Sequence, residues 1–335
     1  MAGIKDVAKL SGVSPSTVSR TLTGNSYVDA ETRKKVMLAV KQLNYKPNMT
    51  ARIQKSGGTR LIGLIIPDIV NPYYPQIVKT LEDLALVSEY SIILCDAQGD
   101  LEREKNYFKV LQHLCVDGIL YVPSTESVDF VSEYANSIPM VIINRTFDIN
   151  APCININNGE ATYLAVRYLI EKGHRKISIY MNNTHRQYNE ERLGGCLKAF
   201  DEFGITEYKA YMAKELQTEE EVYNRTIELL QKADRPTAIF IFNDNMALSV
   251  YRGIYDLGLK IPEDVSVIGF DDIPTAKYMA PPLTTIRNAT YDTLKIIFNN
   301  LLYQIKTREF GQGSMTYYKA KLVERDSVRD LHLNA

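Results

Sequence analysis

Residues 4–22 read IKDVAKLSGVSPSTVSRTL, and two short helical patterns meet at a tight turn within this stretch. Ser14 and Pro15 form a typical helix start, because a hydroxyl can cap free N–H groups and proline is tolerated at the first helical position. Gly12 permits the sharp turn that precedes them. The stretch therefore predicts one helix from Ile4 to Leu10 and a second helix that begins at about Pro15.

The apolar residues of both patterns fall on single helical faces. Val7 and Leu10 are three apart, and Val18 and Leu22 are four apart. Side chains at these spacings lie on one side of a helix, so we expect the two pairs to pack on each other.

A third helix is predicted to complete this small core. Asp29 can cap a helix that runs from Ala30 to Asn44. On that helix Val36, Val40 and Leu43 form an apolar stripe. Three short helices in under 50 residues can enclose a core of their own.

The second helix has a polar outer face, on which Ser16 and Arg20 lie four residues apart. A helix, a short turn and a second helix with a polar face together form the helix-turn-helix pattern. In this pattern the second helix enters the major groove of DNA. A solvated helical hairpin is the alternative. Residues 1–60 hold 11 Lys and Arg against 3 Asp and Glu, a net of +8, whereas the rest of the chain carries −9. This basic segment favours a partner rich in phosphate.

The composition is that of an ordinary globular protein, with 335 residues and 45% hydrophobic content. Its length predicts more than one domain, and no apolar run approaches the length of a membrane span. Four scattered cysteines are expected to be reduced thiols of a cytoplasmic protein. The histidines are dispersed and no GxSxG, HExxH or P-loop string occurs, so we expect no enzyme, metal site or cofactor.

Beyond residue 60 the chain alternates between short apolar runs and amphipathic helical patterns. This rhythm predicts two doubly wound α/β units with parallel sheets. Runs rich in Ile and Val are predicted to be buried strands at residues 61–67, 91–95, 118–122, 140–143, 153–156, 177–180, 238–242 and 265–269.

Six strings of the sequence follow one another in a characteristic order. They are IKDVAKLSGVSPSTVSR, VDAETRKKV (28–36), NYKPNMTAR (44–52), IGLIIPDIVNPYY (62–74), VSVIGFDD (265–272) and PPLTTI (281–286). Their order and spacing, which cover almost the whole chain, resemble those of the lactose-repressor (LacI/GalR) family of bacterial transcription regulators.

The resemblance implies an all-α helix-turn-helix head and an α/β body of two parallel-sheet lobes, like a periplasmic sugar-binding protein. It implies a DNA-binding domain at 1–47, a hinge helix and linker at 48–60, and an effector-binding and dimerisation domain at 61–335. The first lobe is expected at about 61–157 and 287–311, and the second at about 158–286 and 312–330. Residues 315–323 are thus expected to return to the second lobe.

On this resemblance Ser16 and Arg20 occupy positions that contact bases, and arginine can pair bidentately with guanine. Other polar residues are expected to contact phosphate and to set the register of the protein on DNA. These residues are Thr17, Asn25, Tyr45 and Asn48.

Residues 48–54 resemble the hinge helix of the family, which wedges a leucine into the minor groove. Here Gln54 stands at the leucine position, beside Ile53. Gln54 forms the wedge, or Ile53 replaces it in a shifted register, or the DNA bend is weaker. Arg52 is expected to contact the minor groove or a phosphate.

Polar residues follow several predicted strands, where ligands bind in open α/β sheets. A polyol fits such a site, since its hydroxyls pair with Arg, Asp and Asn while an aromatic ring covers its C–H face. The resemblance implies an effector site lined by Asn71, Tyr73, Asn144, Arg192, Asn243 and Asp271, with Phe240 as a second aromatic wall. Asp244 and Asp272 can instead be helix caps.

Together these features predict a homodimeric, cytoplasmic transcription regulator that binds a pseudo-palindromic DNA operator. Its function is expected to be repression of carbohydrate utilisation genes, with a sugar bound between the lobes as the switch. A purine or nucleoside that acts as a corepressor is the alternative, because Tyr73 and Phe240 could stack a base.

Overall fold

The computed structural model of the protein describes residues 4–23, 28–43, 58–124, 129–182 and 186–334. Contacts divide the chain into two compact units, Met1–Arg60 and Leu61–Ala335. Each unit encloses a hydrophobic core of its own.

The first unit contains the three predicted helices. They are α1 (Ile4–Ser11), α2 (Pro15–Thr23) and α3 (Ala30–Gln42). Both predicted helix caps are confirmed. The Ser14 Oγ accepts a hydrogen bond from the Thr17 N–H at 3.1 Å, and the Asp29 Oδ1 accepts one from the Thr32 N–H at 2.9 Å. Local side-chain chemistry therefore sets where both helices begin.

The core of this unit centres on Val7, Val18 and Val36, which are fully buried. The prediction for Leu10 is wrong, because its side chain is 50% exposed. Ser11 takes the inward position, and its Oγ donates to the Val7 carbonyl oxygen at 2.6 Å. Since Ser11 lies just over one helical turn after Val7, the buried stripe is centred on that side and turns Leu10 outward.

The second unit begins with a lobe built on a parallel sheet of six strands in the order β11-β5-β4-β3-β1-β2. The strands are β1 (Leu61–Ile66), β2 (Ser91–Asp96), β3 (Gly118–Tyr121), β4 (Met140–Ile143), β5 (Pro152–Ile156) and β11 (Ser314–Tyr318). The helices are α4 (Tyr73–Val87), α5 (Leu101–His113), α6 (Asp129–Ala135) and α11 (Tyr291–Thr307).

The other lobe has a six-stranded sheet in the order β12-β10-β9-β8-β6-β7, parallel except at β12. The strands are β6 (Ile177–Asn182), β7 (Ala213–Leu216), β8 (Ala238–Ile241), β9 (Ser266–Phe270), β10 (Thr284–Arg287) and β12 (Lys321–Val323). The helices are α7 (Asn158–Glu171), α8 (Arg186–Glu202), α9 (Glu219–Leu230) and α10 (Asp244–Asp256). The predicted pair of doubly wound lobes is confirmed.

The path of the tail differs from the prediction. Residues 315–323 were expected to return together to the second lobe, but β11 pairs in parallel with β5 of the first lobe. Only β12 joins the second sheet, where it pairs with β10. The open edge of β5 needs a hydrogen-bonding partner, and β11 supplies it before the chain crosses over.

The helices α7 and α8 pack unusually closely in the second lobe. A Cβ at Gly195 would lie 2.0 Å from the Gly159 carbonyl oxygen, so this contact requires glycine. Beside it, the Thr162 Oγ1 donates to the carbonyl oxygen of Arg192 at 2.6 Å. This close packing fixes the backbone of α8 at Arg192, the residue that was predicted to line the ligand site.

Within the part of the chain that the structure describes, no helix has both the length and the apolar character needed to cross a membrane. Among the same residues, no three His, Cys, Asp or Glu side chains are grouped so that they could hold a metal ion. The four cysteines are reduced, and Cys115 is exposed.

Candidate functional site

The outer face of α2 carries the two predicted base-reading residues. Ser16 and Arg20 are exposed, whereas Val18 is fully buried on the opposite side. The Ser14 and Ser16 hydroxyls form a hydrogen bond at 2.7 Å, and Thr17 is half-buried. The geometry leaves this face accessible to a partner such as a DNA groove.

The remaining predicted DNA contacts lie outside the described residues. They are Asn25, Tyr45, Asn48, Arg52, Ile53 and Gln54. The choice between Gln54 and Ile53 as the minor-groove wedge therefore stays a prediction.

A cavity of about 240 Å³ lies between the two lobes of the second unit. It forms where the carboxyl ends of strands from both sheets face each other, as expected for open α/β folds. Six of the seven predicted effector residues line it: Asn71, Tyr73, Asn144, Arg192, Asn243 and Asp271. Their contact with a ligand remains a prediction.

The wall from the first lobe is organised around Asn144, which follows β4 in a left-handed backbone conformation (φ 60°). The Asn144 Nδ2 donates to the Tyr73 hydroxyl oxygen at 2.8 Å, and the Tyr318 hydroxyl donates to the Asn144 Oδ1 at 2.7 Å. Burial raises the pKa of both phenols well above the ordinary tyrosine range. This wall is thus a network of neutral groups that hold one another.

The wall from the second lobe is organised around Arg192 of α8. Its Nε donates to the Asn158 Oδ1 at 3.0 Å, and one terminal nitrogen donates to the Phe242 carbonyl oxygen at 2.5 Å. Its guanidinium carbon lies 3.7 Å from the centroid of the Phe270 ring. The protein therefore fixes this cation in place before any ligand arrives.

Asp271 follows β9 and carries a strained backbone conformation, with φ at 117°. Its N–H donates to the Ile286 carbonyl oxygen at 2.8 Å, and its Oδ1 accepts from the Asn288 Nδ2 at 2.9 Å. Burial raises the pKa of Asp271 to about 7, although Arg192 and Asn288 act to lower it. The carboxyl group can therefore be protonated or ionised near neutral pH.

Two amides of the cavity bond to the backbone near the start of a helix. The Asn243 Oδ1 caps α10 and accepts from the Met246 N–H at 3.0 Å. The Asn71 Oδ1 accepts from the Tyr73 N–H at 3.1 Å in the turn that leads into α4. These local hydrogen bonds orient both side chains at the cavity that they line.

Two neighbouring carboxylates have structural partners, but neither caps a helix as the alternative interpretation held, since Asn243 caps α10. The Asp244 side chain is fully buried and accepts from the Thr285 Oγ1 at 2.7 Å and the Ile273 N–H at 3.0 Å. Asp272 forms an ion pair with Arg287 at 2.6 Å. These groups hold the loop after β9 and are outside the cavity lining.

The prediction that Phe240 forms an aromatic wall is wrong. Phe240 is fully buried and packs in the core of the second lobe, with its ring 5.5 Å from the Phe242 ring. Side chains alternate along a strand, and Phe240 of β8 points into the core layer rather than towards the strand end. Tyrosines provide the aromatic surface of the cavity instead.

The residues that sequence reasoning missed include Tyr74, Tyr188 and Asn288, which all line the cavity. The helix that carries Arg192 was predicted to begin at that residue, but α8 begins at Arg186. The spacing of four residues between Tyr188 and Arg192 would have placed both on one helical face.

Comparison with known proteins agrees with a helical first unit and an α/β second unit. Residues 3–48 match the family described as bacterial regulatory proteins, lacI family, and residues 166–328 match the periplasmic binding protein-like domain. The fold and the cavity thus define a DNA-binding transcriptional regulator with a ligand-binding body.

The chain is 35% identical to the HTH-type transcriptional repressor PurR of Haemophilus influenzae (strain PittEE), over 99% of this chain and 100% of the relative. It therefore belongs to the LacI family of bacterial regulatory proteins. The lac repressor dimer bound to operator and the anti-inducer ONPF has a TM-score of 0.82 at 25% identity, covering 98% of this chain and 99% of that one. A LacI family regulator from Enterococcus faecium with bound ribose has a TM-score of 0.72 at 27% identity, covering 81% and 99%.

Proposed function

We propose that this regulator represses carbohydrate utilisation genes and that a small sugar bound between its lobes switches its affinity for the operator. The observation that carries the proposal is the cavity in which Arg192 and Asp271 of one lobe face Tyr73 and Asn144 of the other. A ring of hydroxyls can pair with these polar groups, and tyrosine surfaces can cover its C–H face. The ribose complex of the Enterococcus faecium relative supports a sugar.

The proposed mechanism is linkage between two binding sites. A ligand that contacts both lobes stabilises the lobe arrangement in which those contacts form. If that arrangement binds operator poorly, DNA and ligand each weaken the affinity for the other by the same factor. The opposite preference gives corepression, and this alternative stays open.

Operator recognition is proposed to rest on Arg20 and Ser16, which α2 presents to the major groove. Two heads in a homodimer would read a pseudo-palindromic site. Exposed apolar side chains of the first lobe support a dimer, since Leu86 is 73% exposed and Val87 is 86% exposed at the end of α4. The solved lac repressor is likewise a dimer.

A purine or nucleoside is the second candidate effector. Tyr73, Tyr74 and Tyr188 line the cavity, and tyrosine rings can stack on a base. In that case the ligand is proposed to act as a corepressor.

The proposal also holds that the protein is not an enzyme, uses no cofactor and acts in the cytoplasm, where the DNA is. The relative from Haemophilus influenzae is a transcriptional repressor, which supports a regulator rather than a catalyst. Incubation with candidate sugars should yield no product.

Calorimetry with a panel of sugars and nucleosides, in the absence and presence of operator DNA, tests this function. We expect one sugar to bind and its affinity to fall when operator is present. A nucleoside that binds more tightly with operator would support the second candidate. A ligand whose affinity is unchanged by operator would contradict the proposed linkage.

Operator recognition is tested with Arg20→Ala, matched by Arg33→Ala on the exposed face of α3. Loss of a bidentate guanine contact should cost about 1–3 kcal/mol and abolish operator preference without changing effector affinity. The control should weaken binding to all DNA sequences equally, if at all. Fluorescence anisotropy with operator and scrambled duplexes measures both, and an Arg20→Ala variant with normal preference would contradict the assignment.

A further inference from the structure

Arg145 is a fully buried cation with unused hydrogen-bonding capacity. It follows Asn144 at the end of β4 and is 1% exposed. Within the described residues, none of its three side-chain nitrogens has a hydrogen-bond partner. Buried guanidinium groups are normally paired, because losing water without a replacement acceptor is unfavourable.

The guanidinium of Arg145 lies behind Tyr188, a residue that lines the cavity. Its central carbon is 3.6 Å from the centroid of the Tyr188 ring. The guanidinium carbon of Arg192 is 5.5 Å from the centroid of the same ring. Arg145 belongs to the first lobe and Arg192 to the second, so one tyrosine side chain contacts the cations of both.

The buried carboxylates nearby already have partners of their own. Glu104 of the first lobe accepts from the Tyr121 hydroxyl at 3.0 Å and from the Ser124 N–H at 2.7 Å. Asp271 accepts from Asn288. The Arg145 guanidinium therefore has donors available for an acceptor that enters the cavity.

We propose that the effector is an anionic sugar, whose carboxylate or phosphate group binds Arg145 and Arg192 in the place that the Tyr188 ring now occupies. This inference rests on the proposed function, because it names the ligand class of the same cavity. Both anions offer several oxygens that match the fork of a guanidinium, and such charge-assisted bonds are stronger than those of a hydroxyl.

Two consequences follow for the lobes. The anion joins a cation of the first lobe to a cation of the second, which holds the lobes in one arrangement. The Tyr188 ring gives up its cation–π contact with Arg145, and the anion replaces it with direct hydrogen bonds. The anionic group thus affects the arrangement of the lobes as well as the affinity for the ligand.

Calorimetry with matched ligands tests the inference on the unmodified protein. Each set holds a neutral sugar, its phosphate and its acid: D-ribose, ribose 5-phosphate and ribonate, and D-glucose, glucose 6-phosphate and gluconate. Inorganic phosphate alone is included. We expect one anionic member to bind at least about tenfold more tightly than its neutral parent. Preference for the phosphate or for the acid identifies which anion the cavity takes.

The role of Arg145 is tested with Arg145→Gln, which keeps a polar side chain of similar length and removes the charge. The variant should lose the preference for the anion, so that the ratio between the affinities for the anionic ligand and for its neutral parent falls to about one. Arg167→Gln is the matched control, because Arg167 is exposed and pairs with Glu171 on α7. Thermal unfolding without ligand checks that both variants are folded.

The outcomes separate this inference from the function on which it rests. A neutral sugar that binds as tightly as its acid and phosphate overturns the anion but leaves the sugar-responsive regulator intact. An anion preference that persists in Arg145→Gln overturns the assignment of Arg145. Should that variant fail to fold, the preference of the unmodified protein still decides the ligand class. Absence of binding by every neutral and anionic sugar contradicts the proposed function and this inference together.

Discussion

The two walls of the interlobe cavity differ in how their side chains are held. On the wall from the second lobe, Arg192 has hydrogen bonds to Asn158 and to the backbone at residue 242, and its guanidinium lies over Phe270. On the wall from the first lobe, neutral groups bond to one another, while the guanidinium of Arg145 has only a ring against it within the described contacts.

This difference separates two kinds of binding group. A side chain fixed in advance loses little conformational freedom when a ligand arrives, so it contributes affinity efficiently. A buried group without a partner gains more from a new contact, and therefore responds more strongly to the chemical nature of the ligand. We infer that the second lobe supplies affinity and that the first lobe supplies selectivity.

We expect the largest effect on ligand binding from a substitution on the wall from the second lobe. Replacing Arg192 with Gln should weaken effector binding roughly 100-fold, because losing charge-assisted hydrogen bonds costs about 3 kcal/mol. Operator affinity without ligand should stay unchanged, since α8 lies outside the DNA-binding head. Calorimetry with the effector and anisotropy with operator DNA measure the two quantities.

The control for this variant is Arg167→Gln, which removes an arginine from the surface of the same lobe. It should leave both affinities within about twofold, as expected for a distant exposed residue. If Arg192→Gln retained full response to effector in the presence of operator, the cavity would not be the effector site.

A smaller effect is expected from breaking the neutral network of the first lobe. Asn144→Ala should lower the free energy of unfolding by about 2 kcal/mol, because the hydroxyls of the buried Tyr73 and the half-buried Tyr318 each lose a partner. Asn136→Ala is the matched control, since Asn136 is exposed and its amide donates to the Ser132 carbonyl oxygen. Urea unfolding compares them, and equal stabilities would show that the network contributes nothing.

The smallest expected effect is the change in ligand affinity with pH. It depends on Asp271, which lies on the wall from the second lobe. Asp271 should accept strong, charge-assisted hydrogen bonds from sugar hydroxyls when it is ionised, and its pKa is about 7. Affinity for a neutral sugar should therefore fall roughly tenfold from pH 8 to pH 6, as the ionised fraction falls. The charged and titratable groups that act on Asp271 or feel its charge are Arg192, Asp244, Tyr73, Tyr74, Tyr188 and Tyr318.

Asp271→Asn should bind the neutral sugar with an affinity that does not change across this pH range.

The raised pKa of Asp271 also makes the stability of the folded protein depend on pH, in the direction opposite to ligand affinity. The folded protein holds a proton on Asp271 that the unfolded chain, with an ordinary pKa of 3.8, releases earlier. Stability from this group is therefore present at low pH and is lost as pH rises to about 7. Melting curves from pH 5 to pH 8 should show this decline in the unmodified protein and a smaller one in Asp271→Asn.

Local patterns predicted much of the fold and six of the residues that line the cavity. Helix caps at Ser14 and Asp29 depend on neighbouring residues, and apolar runs mark buried parallel strands because both faces of those strands are covered. The cavity residues Asn71 and Asp271 were found because parallel strands bring their carboxyl ends together.

The features that were missed depend on distant partners. Strand β7 is short and contains charged residues, so only its pairing with β6 makes it a strand. Phe240 and Tyr188 are both aromatic, and composition does not reveal which one faces the core and which one faces the cavity. That distinction follows from side-chain direction, which tertiary packing determines.

The tail of the chain also constrains how the lobes can move. Strand β11 ends at Tyr318 in one sheet, and β12 starts at Lys321 in the other, so only residues 319–320 connect them. A connection this short acts as a pivot. It keeps the lobes adjacent at this point and allows one lobe to rotate against the other. Because Tyr318 also hydrogen-bonds Asn144, the pivot is anchored directly to the cavity wall. A small rotation of one lobe against the other about this point would therefore displace most the ends of the lobes that lie farthest from it.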